Sequence, residues 1–127
     1  MFFTTFLYAF LALVGFVMAA PSSVHKGAAT FFTPSIGACG KQSTSSDHIV
    51  AVSSQFFNSF PGAGANPNKN PICGKTLTVH FKGKSTKVTV VDSCPGCGLL
   101  DLDLSPAAFN DLASPDLGRI QVTWTGA

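Results

Sequence analysis

The sequence has no Glu, and charged residues make up only 11% of its 127 positions. Any carboxylate chemistry must therefore use Asp47, Asp92, Asp101, Asp103, Asp111 or Asp116. Charge this sparse excludes a nucleic-acid binder that works by neutralising phosphates, which needs a clustered basic face. The length excludes a multidomain enzyme. Tyr8 is the only tyrosine and Trp124 the only tryptophan. The chain shows neither an internal repeat nor a low-complexity tract.

What is present begins with an apolar run. Sixteen of the first nineteen residues are apolar and none is charged, and Val17-Met18-Ala19 ends the run on a small residue suited to signal-peptidase cleavage. Pro21 disfavours cleavage after Ala20, so residues 1–19 are expected to be a signal peptide and Ala20 the mature start. The run lacks a basic n-region and nears membrane-spanning length, which leaves an uncleaved anchor as the alternative. Removing it leaves 108 residues, one small soluble domain with a modest core, expected to be secreted and free of the membrane.

Export decides how the cysteines are read. Cys39, Cys73, Cys94 and Cys97 form an even set, for which disulfides are the default in an exported chain of this size. A four-thiolate zinc site would show two close pairs, whereas only Cys94 and Cys97 are close here. A redox CxxC would be expected at a helix start, and this one follows a Val-rich strand. Three pairings are open; Cys39 with Cys73 and Cys94 with Cys97 is the one expected here. His25 falls in a leader over residues 20–26, His48 in a loop and His80 on a polar strand face. None has a neighbour at metal-ligand spacing, so neither metal nor cofactor is expected.

Along the chain, Gly27–Thr33 reads as a strand and Ser35–Asp47 as a polar loop. Ile49–Val52 is a short buried strand, after which Ser53 or Ser54 caps a helical turn carrying Phe56, Phe57 and Phe60. Pro61–Pro71 is a surface loop. Leu77, Val79 and Phe81 alternate with Thr78, His80 and Lys82, and Val88 and Val90 repeat the pattern across a Lys82-Gly83-Lys84 turn, so residues 76–92 read as a hairpin. Asp92 shares the parity of Val88 and Val90 but stands at the strand end, and is therefore expected to point from the core face into a groove at the rim. Lys75, Lys82, Lys84 and Lys87 concentrate positive charge on this hairpin; a solvated face accounts for them, and attraction of acidic wall polymers is the functional alternative. Ser105-Pro106 opens a helix over Ala107–Ala113, and Ile120, Val122 and Trp124 mark a last strand, with Trp124 in the core. Six short strands with one or two small helices make an all-β closed barrel the expected fold.

Asp101 and Asp103, two apart in Leu100–Ser105, would share one strand face about 7 Å apart, with Asp92 approaching across the CxxC turn. Like charges gathered in a groove raise at least one carboxyl pKa toward neutrality. The structural alternative is that Asp103 caps the helix at Ser105 and Asp101 faces water.

The ordered set Val90-Val91-Asp92-Ser93-Cys94-Pro95-Gly96-Cys97, Leu100–Phe109 and Gly118–Trp124 resembles the first domain of expansins. It is also similar to barwin, to the rare lipoprotein A domain and to single-domain fungal loosenin-like secreted proteins. Ala29-Thr30-Phe31-Phe32, Gly37–Gly40 and Ile72–Lys75 extend the likeness across residues 27–125. The resemblance implies a six-stranded double-psi β-barrel over residues 27–127 with an open polysaccharide-binding groove. It places Asp103 at the essential acid of that groove, Asp92 at the second acid and Thr30 on the floor; barwin-like proteins share the acid pair seen as Asp101 and Asp103, and plant expansins usually carry His at the place of Asp101. Phe31 or Phe32 would add an aromatic contact.

The implied function is a monomeric, expansin-like protein that binds cellulose or chitin and loosens it without hydrolysis. Family 45 endoglucanases need a second carboxylate four residues beyond the opening-strand Thr, and that place is Pro34, which argues against inverting hydrolysis. The groove His of the rare lipoprotein A transglycosylases would fall in Val50-Ala51-Val52-Ser53. The alternatives are a weak glycosidase or transglycosylase with Asp103 as the acid, and a protease inhibitor or effector on the same scaffold.

Overall fold

The computed structural model describes residues 23–127; the expected signal peptide and the cleavage position lie outside the described residues. Six strands close a barrel in the order β1-β5-β2-β4-β3-β6, with β6 returning to β1. They are β1 His25–Phe31, β2 Ile49–Ser53, β3 Thr76–Phe81, β4 Lys84–Cys94, β5 Leu102–Leu104 and β6 Ile120–Thr125. β1 with β5 and β2 with β4 run parallel; the remaining neighbours are antiparallel. Closure removes every free sheet edge. Among the described residues no helix is long and apolar enough to cross a membrane.

The alternation expected from the sequence is the alternation that fills the barrel. Leu77, Val79, Val88, Val90, Ile120, Val122 and Trp124 point inward and are buried, joined by Val50, Val52, Leu102 and Leu104. Trp124 is fully buried, and its indole N–H donates to the Leu100 carbonyl at 3.0 Å. The polar edge of the largest core side chain therefore holds the loop that leads into β5.

Both helices start on serine. Ser53 Oγ accepts from the Phe56 N–H and begins α1, Ser54–Ser59. Ser105 Oγ accepts from Ala108 N–H and begins α2, Pro106–Leu112, with Pro106 in the first turn, where its missing N–H costs nothing. α2 buries Ala108, Phe109 and Leu112, and Asp111 on its outer side accepts from Thr86 Oγ1 at 2.9 Å and lies 2.7 Å from His48 Nε2.

Strand limits differ from the expected ones at the amino end. β1 starts at His25 rather than Gly27 and ends at Phe31, so His25 and Lys26 are strand residues and not leader. The reason is tertiary: His25 pairs with Trp124 across β6, its ring sits 4.3 Å from the indole, and its Nε2 lies 2.9 Å from the Ala127 carbonyl.

The disulfides are Cys39–Cys73, closing a separation of 34 residues, and Cys94–Cys97. The first ties the long loop after β1 to the segment before β3. By chain entropy it constrains the unfolded state by about 4 kcal/mol. A double Cys39→Ala, Cys73→Ala variant is expected to lose roughly 3 to 4 kcal/mol in urea titration, while Cys94→Ala, Cys97→Ala, which opens a far smaller loop, loses less.

Candidate functional site

The site is built over Ala51. This buried residue pairs with Asp103 on β5 and with Asp92 on β4, so the two acids flank one small side chain from strands on either side of it. Directly paired residues share a sheet face. Thr30 completes the row: it pairs with Asp103 across β1 and β5, and its hydroxyl donates to Asp103 Oδ1 at 2.9 Å. Asp92, Asp103 and Thr30 are each half-buried and together line an open face.

Asp92 reaches this face by a route the residue pattern does not show. The β2–β4 register shifts between Val50 and Ala51: Val50 pairs with Val90, and Ala51 pairs with Asp92, leaving Val91 as an extra residue on β4. A bulge of this kind inverts the parity of everything after it. Asp92 thus leaves the core face of Val88 and Val90 within the strand, instead of pointing out of the core at the strand's end.

The Asp92 carboxylate is then locked from the loop after β1. Its Oδ1 accepts from Ala38 N–H and from Ser93 N–H, each at 2.8 Å. Gly37 makes the approach possible, because a Cβ there would stand 2.5 Å from the Val91 carbonyl oxygen and 2.8 Å from the Asp92 side chain. Asp103 keeps greater freedom, with only Thr30 as a side-chain partner. Burial pushes its carboxyl above the ordinary value, the Thr30 hydroxyl draws it back, and the Asp92 charge pushes it up again.

Asp101 does not join them in this arrangement. It precedes β5 in a turn closed by its own N–H on the Gly98 carbonyl. Its carboxylate accepts from Ala28 N–H at 2.8 Å and Gly98 N–H at 3.1 Å and faces Arg119 at 3.4 Å. Three donors occupy it, so it braces the turn against β1, where Gly27 leaves room for the Leu100 carbonyl. Phe32 is half-buried just beyond β1, and its N–H donates to the Leu104 carbonyl. Phe31, on the opposite parity from Thr30, packs on Phe109 with ring centroids 4.8 Å apart.

One neighbour escaped the sequence reading. The sulfurs of Cys94 and Cys97 and a carboxylate oxygen of Asp103 lie within 4.8 Å of one another. Joined to each other, these sulfurs offer no thiolate to a metal; the disulfide is a wall beside Asp103. Spacing alone could not reveal this, because the contact depends on where β5 returns relative to the end of β4. Two concavities, of about 490 and 300 Å³, contain none of the acids. The acids are half-buried and reach solvent.

These features define a double-psi β-barrel with a paired-acid face. Residues 24–124 match the family model described as lytic transglycolase, DPBB_1, and the chain belongs to that family. It is 36% identical over 102 residues to a papain inhibitor of Streptomyces mobaraensis, covering 77% of this chain and 68% of that protein. It is 35% identical over 108 residues to an EG45-like domain containing protein of Citrus jambhiri, covering 80% and 81%. Among solved structures, the Streptomyces papain inhibitor superposes with TM-score 0.74 at 33% identity, over 83% of this chain and 94% of that one. A mutant Clavibacter michiganensis expansin in complex with cellohexaose superposes with TM-score 0.66 at 27% identity, over 83% of this chain and half of the expansin. The fold and the expansin likeness expected from the sequence are therefore established.

Because folding raises the Asp103 pKa, this group favours the fold most when protonated, below the unfolded carboxylate value near about 3.9. That contribution is lost as pH rises through the higher folded value. Asp103→Asn, which keeps an acceptor for Thr30 and removes the charge, is expected to melt above the wild type at pH 7. The difference should shrink as pH falls toward 4 in calorimetric scans.

Proposed function

We propose that the protein is a secreted, expansin-like binder of cell-wall polysaccharide, cellulose or chitin, which loosens packed chains without net hydrolysis. The observation that carries this reading is the convergence of Asp92, Asp103 and Thr30 on one open face over Ala51. The superposition on an expansin in complex with cellohexaose supports it. Two disulfides fit an extracellular setting.

In mechanism, the residues divide the work by how firmly each is held. Asp92, fixed by two backbone N–H groups, presents a stationary acceptor to a sugar hydroxyl. Asp103, bonded among side chains to Thr30 alone, keeps free acceptor capacity for a sugar hydroxyl. It competes for the hydroxyls that hold neighbouring glycan chains together, while the Thr30 hydroxyl orients its carboxyl. Cleavage by inversion would need a base across the sugar ring, and the position that supplies one in related endoglucanases is the buried Pro34. Contacts made best to a locally distorted chain suit disruption over tight capture.

Co-sedimentation with cellulose, chitin and peptidoglycan tests this reading. The wild type is expected in the pellet of cellulose or chitin, with Asp103→Asn weakened roughly tenfold, the range for losing a charged hydrogen bond, and without soluble sugar products. Release of reducing ends that Asp103→Asn abolishes would replace loosening with glycosidase chemistry.

A second reading, protease inhibition, is favoured by the papain inhibitor likeness and by exposed Ile36 and Leu99, in the loops that respectively approach Asp92 and precede Asp101. Under it, stoichiometric protein would abolish papain turnover, Ile36→Asp would restore it, and no polysaccharide would pellet the chain.

A further inference from the structure

Three adjacent strands of the barrel, β1, β6 and β3, carry none of the acids. In the closed ring, β3 lies directly across from β5, which carries Asp103, and β6 lies across from β2. Register places Lys26, Thr123 and His80 side by side, one on each of the three adjacent strands β1, β6 and β3. With Phe81, Lys82 and Gln121 they line a depression of about 490 Å³.

Two observations mark this depression as more than a solvated surface. First, the ion pairs among the described residues use His48 and Arg119, so neither Lys26 nor Lys82 has a carboxylate partner. Asp101, which reaches β1 at Ala28, is occupied by Ala28, Gly98 and Arg119. Second, Lys82 occupies a left-handed backbone position, φ 47°, the only non-glycine among the described residues to do so. It is the first of two turn residues between the paired Phe81 and Lys84, a place where Asn or Gly is the ordinary occupant. The chain carries a strained cation there, with Nζ 5.3 Å from the Phe81 ring centre.

We infer that this β1–β6–β3 depression binds a carboxylate-bearing glycan, a polyuronate, at a site separate from the acid face. Lys26 and His80 stand two strand spacings apart, roughly 9.5 Å, close to the advance of two 1,4-linked sugar units. The lysines meet carboxylates, the Thr123 hydroxyl and the His80 imidazole meet sugar hydroxyls, and the half-buried Phe81 ring receives the apolar sugar face. Two lysines are too few for the phosphate density of a nucleic acid, and a polyuronate presents carboxylates at lower density. The inference does not depend on the acid face, which would repel the same polymer.

Binding to immobilised polygalacturonate, beside hydroxyethyl cellulose and double-stranded DNA at 0.05 and 0.5 M salt, tests it. The wild type is expected to bind polygalacturonate and to release at high salt. Lys26→Gln with Lys82→Asn, an exchange that relaxes the turn, should weaken binding about tenfold, a loss of about 1.4 kcal/mol, with no fall in melting temperature. Lys26→Arg with Lys82→Arg should restore it, and Asp103→Asn should leave it intact. Lys41→Gln with Lys69→Gln removes the same charge elsewhere. Equal loss in that control would reduce the effect to net charge and overturn the site, as would equal binding to DNA or undiminished binding by the first double variant.

Discussion

One extra residue on β4 governs the chemistry of this barrel. Without the bulge at Val91, strict alternation would direct Asp92 into a core of Val, Leu and Trp, where an ionised carboxylate costs several kcal/mol unless paired. With it, Val90 and Val91 are both buried and Asp92 emerges beside Ala51, opposite Asp103. The loop after β1 seals the arrangement: it passes close enough, through Gly37, for the Ala38 N–H to meet the carboxylate. The Cys39–Cys73 disulfide anchors the same loop one residue further on. Bulge, glycine contact, hydrogen bond and disulfide are successive links of a single restraint.

Three aspartates in twelve residues thus take three roles because their partners differ. Asp101 spends its acceptors on Ala28, Gly98 and Arg119 and holds a turn. Asp92 is fixed by two backbone donors and remains an acceptor. Asp103 has a single hydroxyl partner, and its burial and the nearby Asp92 charge lift its carboxyl pKa against the lowering effect of that hydroxyl. The number of donors around each acid decides which is rigid and which keeps room for a ligand's hydroxyl.

The distribution of charge gives the molecule two unlike sides. Sparse as its charge is, Asp92 and Asp103 meet on the adjacent strands β4, β2 and β5, while β1, β6 and β3 carry no acid and present Lys26 and His80 beside the Lys82 turn. The small, closed core supplies the rigidity both sides need, since no strand edge is left to pair with another chain.

Much of this was legible in the sequence. Period-two patterns located the hairpin of β3 and β4 and the last strand. Ser105-Pro106 announced α2, and the inward parity of Trp124 matched its burial. The ordered cysteine and aspartate segments carried the likeness to expansins. Alternation could not show the register shift at Val91, the pairing that drew His25 into β1, or the donors that claim Asp101, because each depends on a neighbour distant along the chain. The sequence by itself determined which residues could be inside, where turns and helix caps fall, and which acids were available. Only the tertiary structure decided which acids meet: their geometry is set by cross-strand register and backbone donors, and these exist only once the barrel has closed.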